Sequence, residues 1–523
     1  MLRTELYADP AGVFLHDAIL LSCRQFARKT AIVDTSTTPV RRVSYAEYGE
    51  LVEGLARNLV VRGVKPGDRV AIFLSNSWEF AATFHAAALV GAIATPLNPS
   101  YREREVHYQL ETSGARLLIT DGALISGMEL AGLPELKVVF TTRHTAPETE
   151  SFAELLRPST ATLPRPESPS QETLAVLPFS SGTTGLPKGV MLSHHNLVAN
   201  VYQLVGPQCA PFSSDLKTLC FLPLYHIYGL NVVLNPMLML GATLVLMPRF
   251  DPQAAMRLIA EEDIGFVPAV PPVLNVFCQL AEQGFFPRDH HVRWVKSGAA
   301  PLAPDLARRF TSLTGIPVAQ GYGMTEASPV THVGFEAGPL YCPTSIGQPV
   351  AQTDCRLLDE HENAAEAGEF GELVMRGPQF MLGYWKSPEA TADVMRDGWY
   401  HSGDIARRDE NGLYYIVDRR KEMIKYKGFP VAPAEVESVL LEHPAVRDCG
   451  VVGRQDDAAG EIPCAFIVLR EGIPSTKKTE EEICGFVAER LTRYKQPREV
   501  RFVPGIPRNP SGKILRRELR KQL

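Results

Sequence analysis

The segment Ser180-Ser181-Gly182-Thr183-Thr184-Gly185-Leu186-Pro187-Lys188-Gly189-Val190 directly follows an apolar run at residues 174–179. Its glycines let backbone N–H groups turn towards an anion, its hydroxyls add donors and Lys188 supplies charge, a set that suits a triphosphate. It is not a Walker loop, because the lysine follows Pro187 and precedes Gly189 instead of standing between glycine and Ser or Thr. Composition alone leaves a plain surface turn open, since Gly, Ser and Thr populate turns generally. Two other chemistries lose their main support: no Gly-x-Ser-x-Gly elbow occurs, and Gly321-Tyr322-Gly323 lacks the third glycine of a dinucleotide fingerprint. The pairs His194-His195 and His290-His291 lack metalloprotease spacing, so a solvated or capping role is expected for them, and no metal.

Four further motifs follow the loop in order: Tyr322-Gly323-Met324-Thr325-Glu326, Tyr400-His401-Ser402-Gly403-Asp404, Asp418-Arg419-Arg420-Lys421-Glu422-Met423-Ile424-Lys425-Tyr426-Lys427-Gly428, and Pro510-Ser511-Gly512-Lys513-Ile514. With the loop, they resemble the signatures of the adenylate-forming superfamily, which includes acyl-CoA synthetases, firefly-type luciferases and nonribosomal adenylation domains. The resemblance covers nearly the whole chain and looks closest to 4-coumarate:CoA ligases and related acyl-CoA synthetases.

That resemblance implies an AMP-forming acid–thiol ligase using ATP, Mg²⁺ and coenzyme A. A carboxylate attacks the α-phosphorus, pyrophosphate leaves, and the bound acyl-adenylate then meets the CoA thiol, which divides one difficult step into two easier ones. The implied ATP site comprises Ser180, Ser181, Gly182, Thr183, Thr184, Gly185 and Lys188 for phosphates. Tyr322 would offer a flat face for adenine, with Gln320, Gly321 and Gly323 on the same segment and Gly298, Ala299 and Ala300 opposite. Thr325 would donate to the α-phosphate, and Asp404 with Arg419 would hold the ribose. Glu326 is the implied Mg²⁺ ligand, an oxygen donor of the type that ion prefers; by itself it could equally cap a surface helix. Lys513 would neutralise carboxylate and α-phosphate in the first step, and Lys421 is the implied hinge. After rotation of a small domain, Lys425, Lys427 and Gly428 would line the CoA entry; singly, these lysines read as a solvated basic face. The chain departs from the pattern at Pro430, where related ligases often carry Gln, and proline offers neither that amide nor a backbone donor.

Tyr225-His226-Ile227-Tyr228-Gly229 matches the family's aromatic motif beside the acyl site, making His226 a gate or substrate contact, or else a core histidine. His226, Tyr228, Gly298, Gly321, Pro329 and Val330 form the expected acyl pocket. Gly229, Gly298 and Gly321 would leave room for a flat acid, while Leu234, Met237 and Leu238 would accept an aliphatic chain. With no lysine or arginine in that set, an aryl, arylpropenoic or medium-chain monocarboxylic acid is expected over a dicarboxylate. Two alternatives stay open: transfer of the acyl group to a carrier protein, and a non-catalytic nucleotide-binding relative.

The elements that must carry these residues are legible in outline. Short apolar runs at residues 70–74, 117–120, 137–141, 219–222 and 243–247 alternate with helical stretches such as 251–262, which predicts a largely parallel sheet covered by helices. Residues 143–173, rich in Pro, Ser and Thr, read as an exposed connection, and 370–375 and 412–417 as strands of a β-rich section. No Asp, Glu, Lys or Arg occurs between Lys217 and Arg249, yet Pro223, Asn231, Asn235, Pro236 and Gly241 punctuate that run. It reads as strand, buried helix and strand, not as an integral membrane segment.

From Asp418 onward 21 basic face 16 acidic residues, +5, whereas the remainder carries −11 within a total of −6. That balance opposes a dedicated nucleic-acid binder. The expected fold is α/β: a large multi-layer N-terminal domain with mixed and parallel sheets over residues 1–420, and a small mobile α+β C-terminal domain over 421–523. Within the latter, Pro433 fits the first turn of a helix, Thr479 and Glu482 have capping-box spacing, and 464–469 reads as a strand. Nine cysteines without a C-x-x-C pair indicate no disulfide framework, and the N-terminus has no signal-peptide pattern. A cytoplasmic monomer or homodimer handling small molecules is expected.

Overall fold

The computed structural model describes residues 12–164, 170–180, 186–206, 212–366, 368–427, 429–456, 459–508 and 512–523. Ser181, Gly182, Thr183, Thr184, Gly185, Pro510, Ser511 and Gly428 lie outside them. Two large sheets dominate. The first runs in the order Gln348–Pro349, Val330–Val333, Val318–Gly323, Trp294–Ser297, Phe266–Ala269, Lys217–Cys220, Thr243–Leu246, Thr30–Asp34 and Arg41–Ser44. Its centre is parallel and its edges antiparallel. The second carries Ile93–Pro96, Arg69–Phe73, Ala115–Thr120 and Val138–Thr141 in parallel, with Leu174–Val176 and Lys188–Ser193 completing the side nearer the phosphate loop.

A helical layer lies between them. The helix Trp78–Val90 buries nearly every side chain because it touches strands of one sheet and helices that touch the other. Helix His194–Val205 is buried along its whole length. The uncharged run forms strand Lys217–Cys220, a π-helix Gly229–Leu234, helix Asn235–Leu240 and strand Thr243–Leu246, as its punctuation predicts. Among the described residues no helix is long and apolar enough to cross a membrane. The 143–173 connection is not wholly exposed: a short strand Glu150–Ser151 and a 3₁₀ turn sink Phe152 and Leu155 into the core.

A third, antiparallel sheet joins Asp354–Leu358, Phe370–Arg376, Trp399–Arg408 and Tyr414–Arg419. The smaller C-terminal domain is built on a fourth sheet of Phe429–Val431, Ile424–Tyr426, Gly460–Leu469, Val446–Asp456 and Glu499–Phe502. It has its own core of Ile424, Val436, Leu440, Val451, Ile467, Ile483 and Val487. Pro430 lies on the edge strand of that sheet, where its missing N–H is tolerated. The expected cap at Thr479 is corrected. Helix Lys477–Ala488 starts one turn earlier, with Thr476 accepting from the Thr479 N–H, and Thr479 directs its own hydroxyl to the Pro474 carbonyl.

Candidate active site

The first sheet delivers strand Val318–Gly323 and the 3₁₀ turn Thr325–Ala327 to a cleft of about 2590 Å³. Gly323 is needed for the chain reversal, since a Cβ there would stand 2.0 Å from the Pro329 carbonyl oxygen. The third sheet brings Asp404 opposite: the Tyr322 hydroxyl donates to its Oδ2, and Arg419 Nε lies 3.1 Å from its Oδ1. Strands Trp399–Arg408 and Tyr414–Arg419 pair Asp404 directly with Arg419, so sheet register sets that contact. Burial, then the Asp404 charge, hold the Tyr322 hydroxyl well above its ordinary pKa.

Glu326 is 8% exposed and accepts from Ser180 Oγ at 3.1 Å and from the Tyr384 hydroxyl at 2.8 Å. Lys188 lies across the Tyr384 ring, 5.2 Å from its centroid. The C-terminal domain contributes Lys513 to the same cleft. A Cβ on neighbouring Gly512, at φ 82°, would stand 2.9 Å from Pro272, so this loop seats directly against the large domain. Burial, then the Arg419 charge, lowers the Lys513 pKa to about 8 against the opposing pull of Glu422 and Asp404. If adenylation requires the ammonium form, its kcat/KM should fall as pH rises through about 8. A pH profile for acid-dependent pyrophosphate release checks this, and Lys513→Arg should move the falling limb upward.

Part of the cleft lining is apolar, contributed by Tyr228, Val232, Phe266, Val270, Leu302 and Val330. His226 lines both this cleft and a small adjoining cavity with Asn98, Phe179 and Thr325. Its Nδ1 accepts from the Tyr228 N–H at 3.2 Å, and burial lowers its pKa to about 4, so it is neutral at physiological pH.

The expected glycines divide by cause. Gly321 alone of the three would let a Cβ sit at ordinary contact distance, 3.8 Å from the His332 carbonyl oxygen. The room left by Gly298 is taken by the Tyr228 ring at 3.1 Å, and Gly229 answers to the Pro223 carbonyl at 2.3 Å. Leu234, Met237 and Leu238 are fully buried in the inter-sheet core and do not line the pocket. Gln320 ties two walls together, accepting from the Leu302 N–H and donating to the Pro343 carbonyl.

The cleft therefore gathers Ser180, Lys188, His226, Tyr228, Gly298, Ala299, Ala300, Gln320, Gly321, Tyr322, Gly323, Thr325, Glu326, Pro329, Val330, Asp404, Arg419, Lys421, Lys425 and Lys513. Lys427 is exposed and lies away from its lining. His194 and His195 are buried instead of solvated: His194 Nδ1 accepts from the Leu15 N–H where the helical layer closes over it. His291, exposed beside Asp263, is solvated as expected.

Sequence reasoning missed Tyr384, which carries no motif, and Lys296, a cleft-lining lysine buried within the apolar strand Trp294–Ser297 and paired with Glu336 and the Gly334 carbonyl. A charge inside an apolar strand was the available signal. It also missed Ser328, whose φ of 64° favours glycine and whose buried Oγ has no partner among the described residues. Ser328→Gly is expected to raise stability by about 1 kcal/mol, read as a higher denaturation midpoint, and Ser328→Val to lower it.

The AMP-binding enzyme model matches residues 21–385, and the AMP-binding enzyme C-terminal domain model matches 435–513. The chain belongs to the AMP-binding enzyme family. A 4-coumarate-CoA ligase 1 of Narcissus pseudonarcissus is 37% identical over 523 residues, 98% of this chain and 94% of the relative. A 4-coumarate–CoA ligase 3 of Oryza sativa subsp. japonica is 40% identical, covering 92% of this chain and 87% of its own. The crystal structure of an anthranilate CoA ligase in complex with anthranoyl-AMP aligns with a TM-score of 0.89 at 27% identity, over 99% of both chains. In this family member, the adenylate-forming fold and the cleft between its two unequal domains coincide with the motifs.

Proposed function

We propose that this AMP-binding enzyme joins a monocarboxylic acid to coenzyme A through an acyl-adenylate, releasing AMP and pyrophosphate. The observation that carries the reading is the meeting of Lys513 with the Asp404–Arg419–Tyr322 group and Glu326 in one cleft whose lining is partly apolar. The acid carboxylate attacks the α-phosphorus while Lys513 balances negative charge on both partners, an electrostatic contribution strengthened by partial exclusion of water. Thr325 stands beside Glu326 to donate to the α-phosphate. Asp404 and Arg419 hold the ribose, the Tyr322 ring lies along adenine, and Ser180 and Lys188 with residues 181–185 receive the outer phosphates.

Mg²⁺ fits Glu326: it is a buried hard-oxygen donor beside Ser180, whereas among the described residues no group of three or more His, Cys, Asp or Glu forms a self-sufficient metal site. A lone carboxylate suits an ion shared with phosphates, and the ion would supply charge neutralisation there. The boundary at residues 420/421, with Lys421 as hinge, is supported by the end of strand Tyr414–Arg419 and the separate core starting at Ile424. Rotation about it would exchange the Lys513 face for the Lys425–Lys427–Gly428 face. The CoA thiol then attacks the acyl carbon, AMP leaves, and neutral His226 gates the junction of thiol route and acyl pocket.

The pocket favours an aryl, arylpropenoic or medium-chain acid. Lys296 and Arg309, cations elsewhere in the cleft lining, are paired with Glu336 and Glu282, which disfavours a second carboxylate. The protein would act as a monomer or homodimer, and the eight described cysteines are free, as fits a reducing cytoplasm. A coupled AMP-release assay over benzoic, cinnamic and aliphatic acids, each with and without CoA, tests the reading. AMP and acyl-CoA formed only with ATP, Mg²⁺, one acid class and CoA together are expected. Pyrophosphate release without thioester would point to a carrier protein, and silence with every acid would contradict the ligase.

A further inference from the structure

Pro329 and Val330, which line the cleft, and the buried Ser328 before them are held from behind by two side-chain amides. Asn231 Nδ2 donates to the Ser328 carbonyl at 2.6 Å. Asn200 grips both polar groups of Val330, donating to its carbonyl at 2.8 Å and accepting from its N–H at 3.1 Å. On the other side, Met324 N donates to Pro329 O at 3.0 Å, which ties the wall to the turn bearing Thr325 and Glu326. Asn200 and Asn231 are fully buried and neither lines the cleft.

Each amide is itself fixed. Asn235 donates to Asn231 Oδ1 at 2.7 Å, His85 Nε2 lies 3.0 Å from Asn235 Oδ1, and the Tyr48 hydroxyl lies 2.6 Å from His85 Nδ1. Asn200 also donates to Gln203 Oε1 at 2.9 Å. Buried polar groups are costly unless partnered, and once partnered they tolerate little displacement. A π-helical turn, common at functional sites, carries Asn231 beside the pocket residue Val232.

We propose that Asn200 and Asn231 are positioning residues for acid recognition, setting the pocket's width at Pro329 and Val330 without touching the acid. This rests on the reading of the cleft as an acid-activating site. Truncating either amide frees the wall, so Asn200→Ala and Asn231→Ala should raise the KM for the preferred acid about tenfold and flatten discrimination among acids, with little change in the KM for ATP. The control is Asn196→Ala on the same helix, which removes an equally buried amide that holds the Pro378 carbonyl at 2.8 Å. It should lower the melting temperature and leave acid KM intact.

The experiment measures acid-dependent pyrophosphate release over benzoic, cinnamic and aliphatic acids, beside thermal melts of all three variants. Lower melting temperature or kcat with acid KM and preference unchanged in Asn200→Ala and Asn231→Ala would overturn the proposal. Should Asn200→Ala not fold, Asn231→Ala decides by the same readout. A wild-type protein that releases no pyrophosphate with any acid overturns the functional reading itself, and this inference with it.

Discussion

Lys513→Ala should lose acyl-adenylate formation by about 10²–10³-fold while forming thioester from supplied acyl-adenylate almost normally. The seating of Gly512 against Pro272 presents the lysine to the cleft, and burial among Arg419, Glu422 and Asp404 gives its single charge a large effect. Lys425, exposed on the strand Ile424–Tyr426 where it borders the cleft, should show the opposite bias when replaced by alanine, because the proposed rotation would turn its face onto the reacting centre in place of Lys513. Rapid-quench assays of the two half-reactions separate these cases. Equal losses in both half-reactions for both variants would contradict the assignment of one face to each step.

Asp404→Ala is expected to raise the KM for ATP about 100-fold, since the proposed ribose contact would lose charge-assisted hydrogen bonds to two hydroxyls. It also strips the acceptor from Tyr322 and the counter-charge from Arg419, so the melting temperature should fall as well. Tyr322→Phe separates the two roles, since it keeps the ring for adenine and removes only the hydroxyl that holds Asp404; its effect on ATP should be far smaller. Titration calorimetry with ATP checks both, and unchanged ATP affinity in Asp404→Ala would remove Asp404 from the ribose site.

Features with a local signature were legible in the sequence. Proline, asparagine and glycine within the uncharged run revealed a strand–helix–strand unit, and the charge reversal near Asp418 foreshadowed a second core beginning at Ile424. Motif order anticipated that Tyr322, Asp404, Arg419 and Lys513 belong together, although they are up to 191 positions apart. Residues whose role depends on what packs behind them were not legible. Leu234, Met237 and Leu238 looked like pocket liners because apolar side chains of a layer between two sheets have the same pattern as those of a binding wall. Gly298 and Gly229 accommodate a protein ring and a protein carbonyl, a distinction that needs the neighbouring chain. Asn200 and Asn231 carry no motif at all, since an amide becomes informative only when its backbone partner is known.

On the proposed function, one cleft makes an acyl-adenylate and passes it to CoA. The most direct measurement is a single-turnover experiment with α-phosphate-labelled ATP, Mg²⁺ and the preferred acid, quenched before and after a CoA chase. Labelled acyl-AMP should accumulate without CoA and convert, on the chase, to AMP and acyl-CoA in equal amounts. Release of ADP, or an acyl-AMP that persists when CoA is added, would contradict it.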